Sequence, residues 1–231
     1  EFATSLSQNG FQLVSTGGAA RTLRAAGLEV IGVSDVTGHP EIFDGRVKSL
    51  HPAIHGPLLA RLESEEDKKG LEELGYPPIQ IVACNLYPFS AAAAQKPPLE
   101  DPALLEMIDI GGPTMVRASA KNHRNIIIAC NPSRYDEIIA ELESASDAQS
   151  IGMDLRRSLA LDAFEHTAAY DSAIADELHA RWVGRPEWSD DTAIQTSRLP
   201  ATLLASAVKT HSLRYGAVSY THLRAHETQF H

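Results

Sequence analysis

Short apolar runs alternate along this chain with longer stretches in which apolar residues recur at helical spacing. Residues 11–15, 29–33, 79–84 and 125–130 are brief and apolar, with β-branched residues such as Val14, Ile31, Ile81 and Ile127. That is the pattern of strands covered on both faces. Between them, residues 19–26 read as a helix ending at Gly27, and residues 65–74 as a charged amphipathic helix stopping at Gly75. Residues 132–143 read as a helix opened by Pro132. From Ile151 to about Arg181 a long helical pattern places Leu155, Leu159, Ala163 and Phe164 on the apolar side, with Arg156, Arg157, Asp162 and Glu165 leaving one face wet. This alternation predicts an α/β fold in three layers, a mostly parallel sheet between helices. Ligands in such sheets bind beyond the carboxyl ends of the strands.

Two Gly-Gly turns fall at that edge. Thr16-Gly17-Gly18 joins a strand-like run to a helix, an arrangement that cradles phosphate. It is neither a P-loop nor a dinucleotide fingerprint, because the glycine spacing and the Lys-Ser/Thr pair are absent. Taken alone it is an ordinary strand-to-helix turn. The second turn, Asp109-Ile110-Gly111-Gly112-Pro113, sets a carboxylate before a helix that Pro113 can open. Amides at the positive end of that helix suit negative charge. Lys121-Asn122-His123 follows, so an acid, an anion-binding turn and an amine fall within thirteen residues.

Arg46 and Lys48 point the same way if their segment is extended, beside Ser49 and His51. In a chain of formal net charge −10, this pair invites an anionic substrate, although a solvated loop explains it equally well by itself. The absence of a basic block excludes a nucleic-acid surface, and no apolar run approaches membrane-spanning length. His51 and His55 have helical metal-ligand spacing, but Pro52 disturbs that helix and no third ligand is near, so no metal is expected. Cys84 and Cys130 sit in strand-like runs and read as two buried, reduced thiols, as in a cytoplasmic protein, although two cysteines can also pair.

At 231 residues the chain can bury a real core. Residues 1–183 read as one domain. After Gly184-Arg185-Pro186 the composition shifts to Ser, Thr, Asp and Pro, a linker over residues 184–216 that leads into the start of another unit. Residues 217–231 have no apolar period and look like translated cloning sequence, a non-native tail in which His222 and His226 lack further ligands.

Ser15-Thr16-Gly17-Gly18, Ser34-Asp35-Val36-Thr37-Gly38, Asp44 to Pro52, Cys84-Asn85-Leu86-Tyr87-Pro88-Phe89, Ile108 to Gly112 and Ala120-Lys121-Asn122-His123 occur in this order. Together with Phe164 to Asp171 and Leu213-Arg214-Tyr215-Gly216, they resemble the N-terminal IMP cyclohydrolase domain of the bifunctional AICAR formyltransferase/IMP cyclohydrolase family of purine biosynthesis. The resemblance covers roughly residues 1 to 216. It implies a methylglyoxal-synthase-like fold, a homodimer, and a cyclohydrolase with no metal or organic cofactor. Its substrate is a purine-precursor ribonucleotide monophosphate, 5-formamidoimidazole-4-carboxamide ribonucleotide, which closes to IMP with loss of water. The family's catalytic residues fall on Lys48, Tyr87, Asp109 and Lys121. Its nucleotide contacts fall on Thr16, Gly17, Gly18, Arg46, Ser49, Asn85, Ile110, Gly111 and Gly112.

The pattern departs from the family in three places. The family's opening strand and its phosphate-binding loop precede the first residue here, so the fold is expected to be N-terminally truncated. Ala19 stands where threonine is common, and the sequence diverges after Gly216. The transformylase domain, whose substrate is 10-formyltetrahydrofolate, is thus expected to be essentially missing. Two rivals share the fold: a regulatory nucleotide- or phosphate-binding module, which needs the turns but not Asp109 with Lys121, and methylglyoxal synthase, whose aspartate and histidine arrangement is not found.

Overall fold

In the computed structural model, residues 1–144 and 148–184 are described. The linker and second unit read at 184–216 and the tail at 217–231 lie, from residue 185 onward, outside the described residues. The elements run α1 (Phe2–Gln8), β1 (Leu13–Ser15), α2 (Gly17–Ala25), β2 (Val30–Gly32), α3 (Val33–Thr37), α4 (Pro52–Leu59), α5 (Glu65–Leu74), β3 (Ile81–Ala83), α6 (Phe89–Ala93), α7 (Asp101–Leu105), α8 (Gly111–Lys121), β4 (Ile127–Ala129), α9 (Tyr135–Ser144) and α10 (Met153–Trp182). All four expected strands form, each trimmed to three residues. β1 pairs in parallel with β2, Val14 opposite Ile31, and β3 in parallel with β4, Val82 opposite Ile128. No ladder joins the two pairs among the described residues, so the expected sheet is present as two parallel ribbons.

Contacts divide the chain into two compact units. The first comprises Glu1–Pro88 and Glu100–Thr167. Its core is built on β4, whose three residues are all buried, with Val116, Ala120, Ile138, Leu159 and Ala163 packed around it. A second cluster joins Val33, Ile54, Leu58, Ala118 and Ile126. Arg156 is fully buried in this unit, and the partners of its guanidinium among the described residues are backbone carbonyls. Its guanidinium donates to Ile151 O at 3.1 Å, to His123 O at 3.3 Å and to Ala148 O. Burial holds its pKa below the usual arginine value. The described part of the second unit is Phe89–Leu99 with residues 168–184, the end of α10 and the two residues after it. There, buried Phe89 meets Tyr170 edge-on at 6.4 Å, and Arg181 Nη1 donates to Leu99 O at 2.7 Å. No helix among the described residues is long and apolar enough to cross a membrane.

Pro52 opens a helix rather than disturbing one. It occupies the first turn of α4, where its missing amide hydrogen has no helical partner to lose. His51 is the cap, its Nδ1 accepting from the Ala53 amide at 3.1 Å. The His51/His55 pair is therefore a cap and a helix residue, not a metal pair. The short helices α1, α3, α6 and α7 were not anticipated, since five to seven residues carry too little of a 3.6-residue period to register.

α4 and α8 pack side by side and run the same way. Ser49, just before α4, meets the first residue of α8. At the far ends, Asn122 Nδ2 donates to Leu58 O at 3.0 Å and to Ala60 O at 2.8 Å. Asn125 Nδ2 completes the clamp by donating to Asn122 Oδ1 at 3.0 Å. The C-termini of the two helices are thus locked together, which sets the register of the loops at their N-termini.

Candidate functional site

Three segments converge at those N-termini. The first is the Thr16-Gly17-Gly18 turn after β1. Thr16 is the extended cap of α2 and Gly17 has φ +46°, a left-handed conformation that suits glycine. A Cβ added to Gly17 would lie 3.5 Å from Lys48 Nζ, so the ammonium sits directly against the turn.

The second segment is the loop from Ile42 to Ser49, closed by an antiparallel bridge between Ile42 and Val47. It turns through Phe43, Asp44 and Gly45, all with positive φ. Left-handed conformations in two non-glycine residues store strain that the surrounding contacts must hold. Lys48 is mostly buried and pairs with Glu41 at 3.9 Å. Arg46 is exposed, and its Nε donates to Glu106 Oε2 at 3.2 Å.

The third segment is the Asp109-to-Gly112 turn that opens α8. The Gly112 amide donates to Asp109 Oδ1 at 2.8 Å, so the carboxylate caps the positive end of the helix. A Cβ on Gly111 would lie 2.7 Å from Ser49 Oγ. One on Gly112 would collide with Asp109 Oδ2 and come within 3.0 Å of Leu86 Cδ2. Both glycines are therefore close-approach positions, where only a hydrogen fits.

Beneath this turn runs the segment after β3. Exposure alternates along it: Asn85 and Tyr87 face outward, Tyr87 at 49 % exposure, while Leu86 packs inward. Cys84 Sγ is 3.9 Å from Gly112 O. Burial, and then the negative charge of Asp109, push the Cys84 thiol up to about 12.

The loop at 46–49 is thus the link between the two Gly-Gly turns, Lys48 against the first and Ser49 against the second. Thr16, Gly17, Gly18, Lys48, Ser49, Asp109, Ile110, Gly111 and Gly112 are brought into one neighbourhood, with Asn85 and Tyr87 on the adjoining segment. Arg46 reaches it through Glu106. Lys121 is not brought there. It is exposed at the last position of α8, ten residues beyond Gly111, about 15 Å along the helix axis. The acid and amine that are close in sequence are therefore at opposite ends of one helix. Glu41 and Glu106, the carboxylates that hold Lys48 and Arg46, were missed. Glu106 lies 60 positions from its partner, and no local pattern announces such a pair. No cluster of three metal-ligating side chains occurs among the described residues.

Residues 1–114 match the family model of the MGS-like domain, so the parallel strands and glycine turns belong to a methylglyoxal-synthase-like fold. Residues 119–226 match the model of the AICARFT/IMPCHase bienzyme. The chain is 49 % identical over 182 residues to the bifunctional purine biosynthesis protein PurH of Persephonella marina (strain DSM 14350 / EX-H1), a match covering 79 % of this chain and 34 % of that protein. Among solved structures it resembles the crystal structure of ForH, with 35 % identity and a TM-score of 0.67, covering 77 % of this chain and 90 % of the other. The chain belongs to the AICARFT/IMPCHase bienzyme family, and spans about a third of the length of the curated relative it matches.

Proposed function

We propose that this chain is the cyclohydrolase part of a purine-biosynthesis enzyme, closing 5-formamidoimidazole-4-carboxamide ribonucleotide to IMP with loss of water. The observation that carries the reading is the 46–49 loop, which sets an ammonium against one glycine turn and a hydroxyl against another that bears a carboxylate. A nucleotide monophosphate needs both features, an anion cradle and a reactive end.

In this reading the first turn and Lys48 take the phosphate, with Arg46 exchanging Glu106 for the ligand. The carboxamide nitrogen attacks the formyl carbon of the same molecule. Both partners are already tethered, so the site's main task is to hold the reactive rotamer. Asp109 accepts a proton from the attacking nitrogen and returns it to the hydroxyl formed from the formyl oxygen, whose C–O bond then breaks as water leaves. Amides near Gly111 stabilise the charge that develops on the formyl oxygen. Tyr87 and Asn85 orient the heterocycle. The step as proposed calls on no metal or organic cofactor. Lys121, the second amine of the resemblance, stands too far along α8 to exchange a proton with Asp109 of its own chain. It enters catalysis only if a second copy supplies it, in keeping with the homodimer that the resemblance implies.

A regulatory nucleotide-binding module is the second reading. It is favoured by the separation of Asp109 from Lys121 and by the capping bond that already occupies one oxygen of Asp109. Turnover decides between them. Incubation with the formylated nucleotide, followed by ultraviolet absorbance, is expected to show IMP accumulating with many turnovers per chain. Tight binding without turnover would establish the module instead.

A further inference from the structure

The β3–β4 register runs Ile81 opposite Ile127, Val82 opposite Ile128 and Ala83 opposite Ala129. The next pair is Cys84 opposite Cys130. The Cys84 amide still donates to Ala129 O at 3.1 Å, so the strands keep ladder spacing at this point. Opposed residues on neighbouring strands have Cα atoms roughly 4.8 Å apart and side chains on the same face. A disulfide spans about 4.4 to 6.8 Å between Cα atoms. Both thiols border the same core, beside Tyr135. Cys130 is buried, while Cys84 is only partly covered and touches the Gly112 carbonyl. Cys84 feels Cys130 electrostatically, and Tyr135 feels both.

We propose that Cys84 and Cys130 are an oxidation site, forming a reversible disulfide across β3 and β4 when the protein meets a peroxide, and that this cross-link disturbs the Asp109–Gly112 turn. Cys84, the residue with more exposed surface, gives two electrons to the peroxide and becomes a sulfenic acid, releasing water. The Cys130 sulfur then attacks the Cys84 sulfur, the S–S bond forms, and the sulfenic oxygen leaves as a second water with the Cys130 proton. Two thiols and one peroxide become one disulfide and two waters. The step is slow, because burial and the Asp109 charge keep the thiolate scarce. In the product the Cys84 sulfur has swung from Gly112 towards Cys130. The carbonyl it supported, one residue from the proposed oxyanion amides, loses that contact.

The coupling to activity rests on the cyclohydrolase reading, whereas the cross-link itself does not. The test treats the reduced full chain with hydrogen peroxide and measures intact mass after alkylation in denaturant. The expected result is loss of two hydrogens with neither cysteine alkylated, both restored by dithiothreitol, and a Cys84–Cys130 cross-linked peptide. Cys84→Ser and Cys130→Ser each abolish that product. Cys84 carried to the sulfinic acid while Cys130 remains alkylatable would overturn the site. The cyclisation rate of the oxidised chain is expected to fall several-fold and to recover on reduction. An oxidised chain that cyclises at the parental rate would overturn the coupling. If the reduced chain never cyclises, the cyclohydrolase reading fails, and the mass measurement still decides the disulfide.

Discussion

Three side chains carry most of the consequences at the scale of single residues. Asp109 is both the cap of α8 and the proposed base, so its two roles can be separated. Asp109→Asn keeps an acceptor for the Gly112 amide and removes the negative charge. It is expected to lower turnover about 100- to 10,000-fold, the range for a positioned acid or base, while changing nucleotide affinity little. Parental turnover in that variant would remove Asp109 from the chemistry. Lys48→Ala should do the reverse, weakening nucleotide binding in calorimetry, because its ammonium lies at the Gly17 turn and not at Asp109. His55 predicts a pH effect. Its Nε2 is buried without a hydrogen-bond partner among the described residues, and burial lowers its pKa. The folded pKa is below the unfolded one, so the stability this group contributes is present above about pH 6.5 and is lost as pH falls. Thermal melts of His55→Gln should therefore lose less stability between neutral and mildly acidic pH than the parent. Equal losses would show that His55 protonates freely in the fold.

At the scale of elements, the parallel pair α4 and α8 decides where the site's loops meet. Asn122 is the joint. Asn122→Ala would leave the carbonyls of Leu58 and Ala60 without that donor and remove the Oδ1 that accepts from Asn125. Three buried hydrogen bonds at about 1 kcal/mol each put the loss at about 3 kcal/mol. The consequence reaches the other end of the helices, since Ser49 and Gly111 depend on the same register. Chemical denaturation measures the stability loss, and calorimetry with the nucleotide measures the effect on the site. A core substitution of matched stability loss, such as Leu142→Ala, should leave affinity unchanged. If both variants bind alike, the clamp is structural only.

For the whole molecule, the relevant question is what a ligand does to the folding equilibrium. A ligand at a hundred times its dissociation constant stabilises the native state by about 2.7 kcal/mol. For a chain of this length that corresponds to a rise of roughly 5 to 10 °C in Tm. The nucleotide monophosphate is expected to produce such a shift, and its nucleoside little or none at equal concentration, because in the proposed mode of binding the first glycine turn and Lys48 take the phosphate. Equal shifts would mean that the Thr16-Gly17-Gly18 turn plays no part in binding. The tail from residue 217 lies outside the described residues, and its sequence has no apolar period. Its removal is expected to leave the cyclisation rate and Tm unchanged.

Local pattern alone determined the strands, the longer helices and the glycine turns. β-branched runs marked all four strands, Gly75 ended α5, and the two Gly-Gly turns fell after β1 and before α8, because strand period, capping and glycine's conformational freedom act within a few residues. Six ordered motifs were enough to indicate the family. What the sequence could not carry were relations between segments far apart in the chain. Nothing local says that Arg46 meets Glu106, that Asn122 ties α8 to α4, or that Cys84 stands opposite Cys130. Each of these is set by how helices and strands pack and register. The clearest case is Asp109 and Lys121, neighbours in the sequence and candidates for one proton relay. The helix between them rises about 1.5 Å per residue and holds them apart, while the packing of α8 beside α4 decides which segments meet each of its ends.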